Sequence, residues 1–412
     1  MKRERLVVGL DVGTTKVACL IANVVDDFIE IIGVGVAPSR GLEKGVVVDI
    51  GRTIQSIRKA VEEAENMADV KVREAYVGIA GKHIRSINNS AVISITRSDR
   101  IITQEDVRRV IEAARAIPIS PDLQIIHIIP RQYIVDGQEG ITDPVGMTGT
   151  RLEADVHIVL GSVTAVHNLV RCVEAVGIGV KQIVLEPLAS AMAVLSSAEK
   201  ELGVMLVDCG GGTTDISVFR GGDIWFSKTI PIAGEHITND ITVGLQTPIE
   251  EAERIKKLYG TCLVDAVGDD EKIEVATLGG EGTRQVSRKK LAKIIEPRVE
   301  EILDLAMQEV EEAGYRDLIP AGMVLTGGTS LLHGIVEFAQ RRYGIPVRRG
   351  SVPKNVHGFQ EIVESPIFAT GVGLLKFAVE GRDFARTLQA RRSKGMLSRL
   401  FGWFRQFLRG GA

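Results

Sequence analysis

The sequence predicts an α/β protein of two similar lobes, the first carrying an inserted α+β unit and the second a helical insert, on three observations. Leu6 to Ala22 (LVVGLDVGTTKVACLIA) and Val204 to Phe219 (VMLVDCGGGTTDISVF) share one shape about half a chain apart. Stretches with apolar residues at three- and four-residue spacing lie between them, as covering helices would. From about His83 to Gly161 the rhythm changes to strand-like runs around a single helix.

In each paired segment a β-branched apolar run ends in Asp, a Gly/Thr turn follows and alternation resumes, which signals a hairpin. Asp49 to Ala68 and Val163 to Val176 read as helices, the second stopped by Gly177. In the insert, strands around Ala91 to Ile95 and Gln124 to Val135 enclose a helix over Thr103 to Ala116. Asn239 to Ala313 reads as mostly helical, and Gly322 to Gly328 as a buried strand and glycine turn. The expected division is a first lobe over 1–82 and 162–195, with 360–380 packing back on it, and an α+β insert over 83–161. A second lobe follows over 196–236 and 314–359, with a helical subdomain over 237–313, a linker over 381–393 and a terminal helix over 394–409.

The chain has 412 residues, 45% hydrophobic and 25% charged, enough for more than one core. A net charge of −3 argues against nucleic acid as a partner, since phosphate recognition calls for a basic excess. Cys19, Cys172, Cys209 and Cys262 stand singly, without disulfide or CxxC spacing, so a reducing compartment is expected. The apolar run after the basic start is interrupted by Asp11, which argues against a signal peptide. No stretch approaches the roughly 20 apolar residues of a spanning helix.

Asp11 leads the turn Gly13, Thr14, Thr15, Lys16; Asp208 leads Gly210, Gly211, Gly212, Thr213. These residue types suit a triphosphate: glycines admit backbone N–H groups close to phosphate oxygens, threonines add donors and Lys16 adds charge. An Asp in each turn suits Mg²⁺ held through water, because that ion keeps several waters and takes few protein carboxylates. The alternative, an ordinary Asp-x-Gly hairpin turn, explains either copy alone but not two in equivalent places. There is neither a GxxxxGK[ST] loop nor a GxGxxG after a strand.

DVGTTK and VDCGGGTTD resemble the two phosphate loops of the actin, sugar kinase and DnaK-type chaperone superfamily. GMVLTGGTSLLHGI (Gly322 to Ile335) is similar to its adenosine motif, with Gly327 and Gly328 at the turn. AERIKKLYG (Ala252 to Gly260) is similar to the helix covering the adenine, which implies Glu253, Lys256 and Lys257 along base and ribose; the alternative is a solvated face of i, i+4 pairs. LEPLASAMA (Leu185 to Ala193) resembles the connecting helix whose polar residue orients the attacking water, here Glu186, as base or water-positioner. A helix-start Glu beside Pro187, stabilised by the helix dipole, accounts for it equally well. The resemblance implies an actin-like, RNase H-like fold binding ATP and Mg²⁺, with Asp11, Asp208 and Glu186 as the catalytic candidates and at most slow ATPase activity.

Within that superfamily, GKHI (Gly81 to Ile84), TQEDV (Thr103 to Val107), HIIPRQYIVDGQEGI (His127 to Ile141) and DPVGMTG (Asp143 to Gly149) closely resemble the extra subdomain of the FtsA family. GEHITNDI (Gly234 to Ile241) and IIEPRVEEI (Ile294 to Ile302) are similar to it too, so the resemblance runs from about Leu6 to Phe377. It implies a filament-forming adaptor on the cytoplasmic side of the membrane at the division site, which recruits FtsZ through the helical second insert, and other division proteins besides. That insert carries Arg288, Lys289, Lys290, Lys293 and Arg298 near one helix; Arg298 and Lys293 are the residues expected to meet the FtsZ C-terminal tail, a solvated basic face being the alternative. The rival roles are a PilM-type scaffold of a pilus machine and a small-molecule kinase of the same superfamily.

From Lys394 to Leu408, apolar Met396, Leu397, Leu400, Phe401, Trp403, Phe404, Phe407 and Leu408 fall on one helical stripe among basic residues. A helix of that length spans about 22 Å and cannot cross a bilayer. It is expected to lie in an anionic interface, burial yielding about 12 kcal/mol against about 15 for ordering, with ~1 kcal/mol from each flanking cation. Linking many copies in a filament strengthens such marginal binding.

Overall fold

The computed structural model describes residues 5–25, 28–279, 282–352, 356–359 and 363–380. The first lobe opens with β1 (Arg5–Val12), β2 (Lys16–Val25) and β3 (Phe28–Pro38), then the short pair β4 (Leu42–Glu43) and β5 (Val46–Val47), helix α1 (Ile50–Ala68) and β6 (Glu74–Ile79). Asp49 caps α1 by accepting from the Arg52 N–H at 3.0 Å, and α1 buries Ile57, Ala60, Val61 and Ala64 against the sheet. The insert follows: β7 (Arg85–Ser94), α2 (Gln104–Arg115), β8 (Leu123–Val135), β9 (Gln138–Ile141) and β10 (Arg151–Ser162). The chain then returns through α3 (Val163–Glu174), β11 (Gly179–Leu185) and α4 (Glu186–Val194).

The second lobe comprises α5 (Ser197–Leu202), β12 (Val204–Cys209), β13 (Thr214–Arg220), β14 (Asp223–Ile230), α6 (Gly234–Leu245), α7 (Ile249–Tyr259), β15 (Lys272–Ala276), β16 (Thr283–Ser287), α8 (Arg288–Glu312), β17 (Met323–Thr326), α9 (Ile335–Tyr343) and β18 (Val347–Arg349). β19 (Val356–His357) rejoins the first sheet, and α10 (Ala369–Glu380) closes the described chain.

The two main sheets repeat one plan. In the first, the order is β11-β6-β1-β2-β3-β19; in the second, β14-β13-β12-β17-β18. Each begins as an antiparallel meander, and beside its first strand two parallel strands are added. The likeness of the two hairpin sequences is therefore a likeness of whole lobes. Between the lobes lie α4 and α10. They cross so closely at Gly373 that a Cβ there would stand 1.8 Å from the Ala189 carbonyl oxygen. Leu20 of the first sheet, Leu206 and Val324 of the second, and Val372 and Leu375 of α10 share one buried cluster, which couples the lobes mechanically.

The insert is a four-stranded antiparallel sheet, β7-β10-β8-β9, covered by α2. Thr103 and Asp106 start α2 as a capping box, the Thr103 N–H and hydroxyl both donating to Asp106 Oδ2 at 3.0 and 2.6 Å. Although rooted in the first lobe, the insert docks on β14 of the second. Ser86 Oγ donates to the Ser227 carbonyl at 2.7 Å, and Asn88 Nδ2 to the Trp225 carbonyl at 3.1 Å. His157 spans Asn88 Oδ1 at 2.7 Å and Ser227 Oγ at 3.0 Å, while the Arg131 guanidinium stacks 3.9 Å over Trp225. Burial, with Arg131 nearby, pushes His157 down to about 3, so it serves as a neutral donor–acceptor.

The helices expected over 49–68, 103–116 and 163–176 are present as α1, α2 and α3. The segment expected to be mostly helical holds α6, α7 and α8 and also a hairpin, β15–β16, paired from Lys272↔Ser287 to Ala276↔Thr283. The terminal helix expected over 394–409 lies outside the described residues, as does the linker.

Candidate functional site

The ends of β1 and β12, first strands of the two meanders, deliver Asp11 and Asp208 to facing turns across the cleft between lobes. In the first turn the Gly13 N–H donates to the Lys16 carbonyl at 3.0 Å; in the second the Gly210 N–H donates to the Thr213 carbonyl at 3.0 Å, the same closure twice. The turns touch. A Cβ on Gly211 would meet Thr15 Cγ2 at 2.1 Å, and one on Gly212 would meet Thr14 Cγ2 at 2.7 Å. Glycine at 211 and 212 is thus a condition of the lobes approaching this closely.

Lys16 Nζ lies 2.7 Å from Asp11 Oδ2, so its charge is held at the mouth of the first turn. Asp208 Oδ2 accepts from Ser190 Oγ of α4 at 2.5 Å, and Ser190 Oγ lies 3.0 Å from the Thr370 hydroxyl of α10. Burial, together with Asp11, pushes Asp208 up to about 6 in spite of the Ser190 hydrogen bond. Asp215, opposite Asp208 at the start of β13, accepts from Thr229 Oγ1 at 2.5 Å and is pushed up to about 7 by burial and then Asp208. Glu186 begins α4 at the cleft floor, and burial followed by Asp11, Asp215 and Asp208 raises its carboxyl well above the ordinary range. Buried carboxylates that raise one another's proton affinity in this way call for a cation or for protons.

Gly327 brings the third turn against this group: φ is 80°, and a Cβ there would stand 2.5 Å from Asp208 Oδ1. Gly328 opens the following 3-10 turn, and Thr329 Oγ1 donates to the Gly210 carbonyl at 2.8 Å. At the entrance of α6, Gly234 leaves room for Thr329 and for Lys256 of α7, whose Nζ donates to the Gly234 carbonyl at 3.0 Å and to Thr238 Oγ1 at 2.7 Å. Glu253 is joined to Lys256 at 2.6 Å and to Lys257 at 3.0 Å, Lys257 being largely exposed. Asp11, Lys16, Asp208, Glu186, the three glycine turns and Lys256 therefore share one cleft.

Lys293 and Arg298 lie on α8, outside that group. Arg298 is bound through Nε and Nη2 to Asp240 of α6 at 2.5 and 3.0 Å and also pairs with Glu301. Arg288 pairs with Glu271 at 2.7 Å and Lys289 with Asp269 at 2.6 Å, so the basic face expected from sequence is mostly neutralised within the chain; Lys290 and Lys293 are exposed. The membrane residues Leu397, Leu400, Phe401, Trp403, Phe404, Phe407 and Leu408 lie outside the described residues.

The motifs contained site residues that pattern reading did not single out. Asp215 is the last letter of VDCGGGTTD and pairs across the β12–β13 hairpin with Asp208; Ser190 lies inside LEPLASAMA, and its reach to Asp208 depends on α4 approaching β12. Thr370 had no motif to announce it. The donor set fits a magnesium triphosphate: Asp11 and Asp208 face each other without forming a closed metal cage, and among the described residues no group of three or more His, Cys, Asp or Glu is placed to hold an ion directly. Among the same residues no helix is long and apolar enough to cross a membrane.

Duplicated lobes around a cleft with an Asp-led turn on each side define an actin-like protein. Solved structures share that fold: the PilM-PilN type IV pilus biogenesis complex (TM-score 0.66, 17% identity, covering 91% of this chain and 98% of that one) and MreB5 of Spiroplasma citri bound to ADP (0.54, 15%, 90% and 96%). The MamK double helical filament is similar as well (0.52, 16%, 91% and 99%). The model of the family Cell division protein FtsA matches residues 205–373, and that of the SHS2 domain inserted in FTSA matches 81–160. Cell division protein FtsA of Pseudomonas aeruginosa is 47% identical over 377 residues, 91% of this chain and 90% of its own length; that of Neisseria meningitidis serogroup B is 44% identical over 410 residues, 98% of each. The chain belongs to the FtsA family of actin-like cell division proteins.

Proposed function

We propose that the chain binds Mg-ATP in the cleft, polymerises, and tethers FtsZ filaments to the cytoplasmic face of the cell membrane at the division site, where it also recruits later division proteins. The observation that carries the nucleotide reading is the contact of the two Asp-led turns, Thr15 on Gly211 and Thr14 on Gly212. Gly13, Thr14, Thr15 and the backbone of 210–213 would cradle the phosphates, with Lys16 adding charge. Asp11 and Asp208 would hold waters of Mg²⁺, which supplies the neutralising charge when bound. Gly327 and Gly328 would lie against ribose and purine, with Glu253, Lys256 and Lys257 on the far side. Glu186 would orient water, and its raised affinity for a proton suits a slow ATPase whose nucleotide acts chiefly as a switch.

Polymerisation gains support from the fold shared with a filament and with an ADP-bound bacterial actin. The FtsZ and membrane roles rest on family membership and on the basic, aromatic tail. On the partner face, the exposed Lys293 would meet an acidic peptide first, and Arg298, fixed by Asp240, would be won by exchange of one carboxylate for another. Titration of an FtsZ C-terminal peptide against K293E and R298E tests the assignment: at least a tenfold loss is expected in each, and unchanged affinity in both removes these residues from the interface. The shared fold of the PilM complex is the observation that favours a pilus scaffold instead; absence of any FtsZ-peptide binding by the parent protein would turn the account that way.

A further inference from the structure

We infer that His83 and Glu186 belong to one water-holding chamber beneath the first turn, and that His83 is a positioning residue for the Glu186 carboxyl; this rests on the nucleotide reading above. The chamber has a volume of about 30 Å³, and Val12, Gly13, Gly78, His83, Glu186 and Thr213 are among its walls. That is room for a water, which needs ~10–15 Å³ on the same measure. The rest of the wall is largely apolar, including Leu42, Val47 and Leu169. His83, Glu186 and Thr213 supply its polar side chains.

Both ring nitrogens of His83 are buried and neither has a hydrogen-bond partner in the protein. A buried imidazole left so costs ~1–3 kcal/mol, and a chamber water removes that cost. Its residue partner across the chamber is Glu186, whose Oε1 and Cγ press on Gly78 so closely that a Cβ there would stand 3.1 and 3.0 Å away. Gly78 is the next-to-last residue of β6 and Glu186 the first of α4, so main chain holds the carboxyl where both residues line the chamber. Burial lowers the affinity of His83 for a proton and raises that of Glu186, so a neutral imidazole can donate from one nitrogen and accept at the other along a water link to a carboxyl that takes up a proton at an oxygen. Asp11, Asp215, Asp208 and Lys16 also act on Glu186 electrostatically. His83 would then set the rotamer of Glu186 through that water.

The test is imidazole NMR of the nucleotide-free, full-length protein carrying ¹⁵N-histidine, comparing parent with E186Q. The His83 signals should change tautomer balance or apparent pKa by about 0.3 units or more; signals identical in the two proteins would overturn the inference. H83Q and H83F extend it to turnover. With ATP bound equally, H83F should lose about tenfold in kcat at unchanged KM and H83Q should recover much of it, whereas equal kcat in parent, H83F and H83Q would contradict the positioning role. A parent protein that binds no ATP would defeat the nucleotide reading while leaving the NMR comparison intact.

Discussion

Replacing Gly211 by Ala places a methyl group where Thr15 now stands. The Cβ would lie 2.1 Å from Thr15 Cγ2, 2.7 Å from Oγ1 and 3.0 Å from Cβ, well inside contact distance. In the nucleotide-free protein the lobes can part slightly and relieve the clash, so stability should change little. Binding a triphosphate between the turns requires them together, and the overpacking of about 1–3 kcal/mol should then appear in affinity, weakening ATP by about 5- to 150-fold. Thr15→Ala removes Cγ2 and Oγ1, the two nearest atoms. On its own it should cost about 1 kcal/mol for the lost hydroxyl; combined with Gly211→Ala it should restore most of what Gly211→Ala loses. Equilibrium binding of ATP to the four proteins of the cycle, with thermal unfolding as a control, measures the coupling directly. Additive losses, or Gly211→Ala binding as the parent does, would refute the idea that these turns close on the nucleotide.

Other expectations concern pH and the joint to the insert. Asp208 at about 6 and Asp215 at about 7 bind protons more tightly folded than unfolded, so the nucleotide-free protein should lose stability as pH rises from about 4 to 7. Asp208→Asn should therefore raise the thermal midpoint of the nucleotide-free protein at pH 8 by an amount equivalent to about 1–3 kcal/mol, converge with the parent near pH 4 and weaken Mg-ATP; a variant less stable than the parent at pH 8 would contradict this. His157→Leu leaves the buried Ser227 hydroxyl without its imidazole partner, a cost of about 1–3 kcal/mol. Hydrogen exchange should then quicken in β7 and β14 together, and exchange altered in β7 alone would show that the insert does not depend on that dock. Because His157 stays neutral far below physiological pH, the joint should not respond to pH between about 5 and 8.

Local signals carried much of the fold. The paired Asp-led hairpins, the helical periods over 49–68 and 103–116 and the stop at Gly177 are each written locally, and each element formed where its pattern stood. β15–β16 was obscured because KIEVA and TRQVS are short and sit between strong helical periods, where a two-stranded hairpin leaves little signature. The cleft was legible as motifs but not as geometry. Asp215 stands beside Asp208 through the β12–β13 pairing, but Ser190 and Thr370 meet there only because α4 and α10 pass between the lobes, contacts spanning up to 180 positions. Arg298 was legible as a cation, but its pairing with Asp240, 58 positions away, required α6 to lie along α8. The docking of the insert on β14 likewise joins residues such as Ser86 and Ser227, which no local pattern relates.

The central claim is tested most directly by co-sedimentation with anionic liposomes, with and without Mg-ATP, of the full-length chain and of one truncated after Arg392. The account predicts pelleting that depends on the tail and is enhanced by ATP, since linked copies bind a surface more strongly than single ones. Pelleting that is equal and negligible for both proteins, with or without nucleotide, would contradict it.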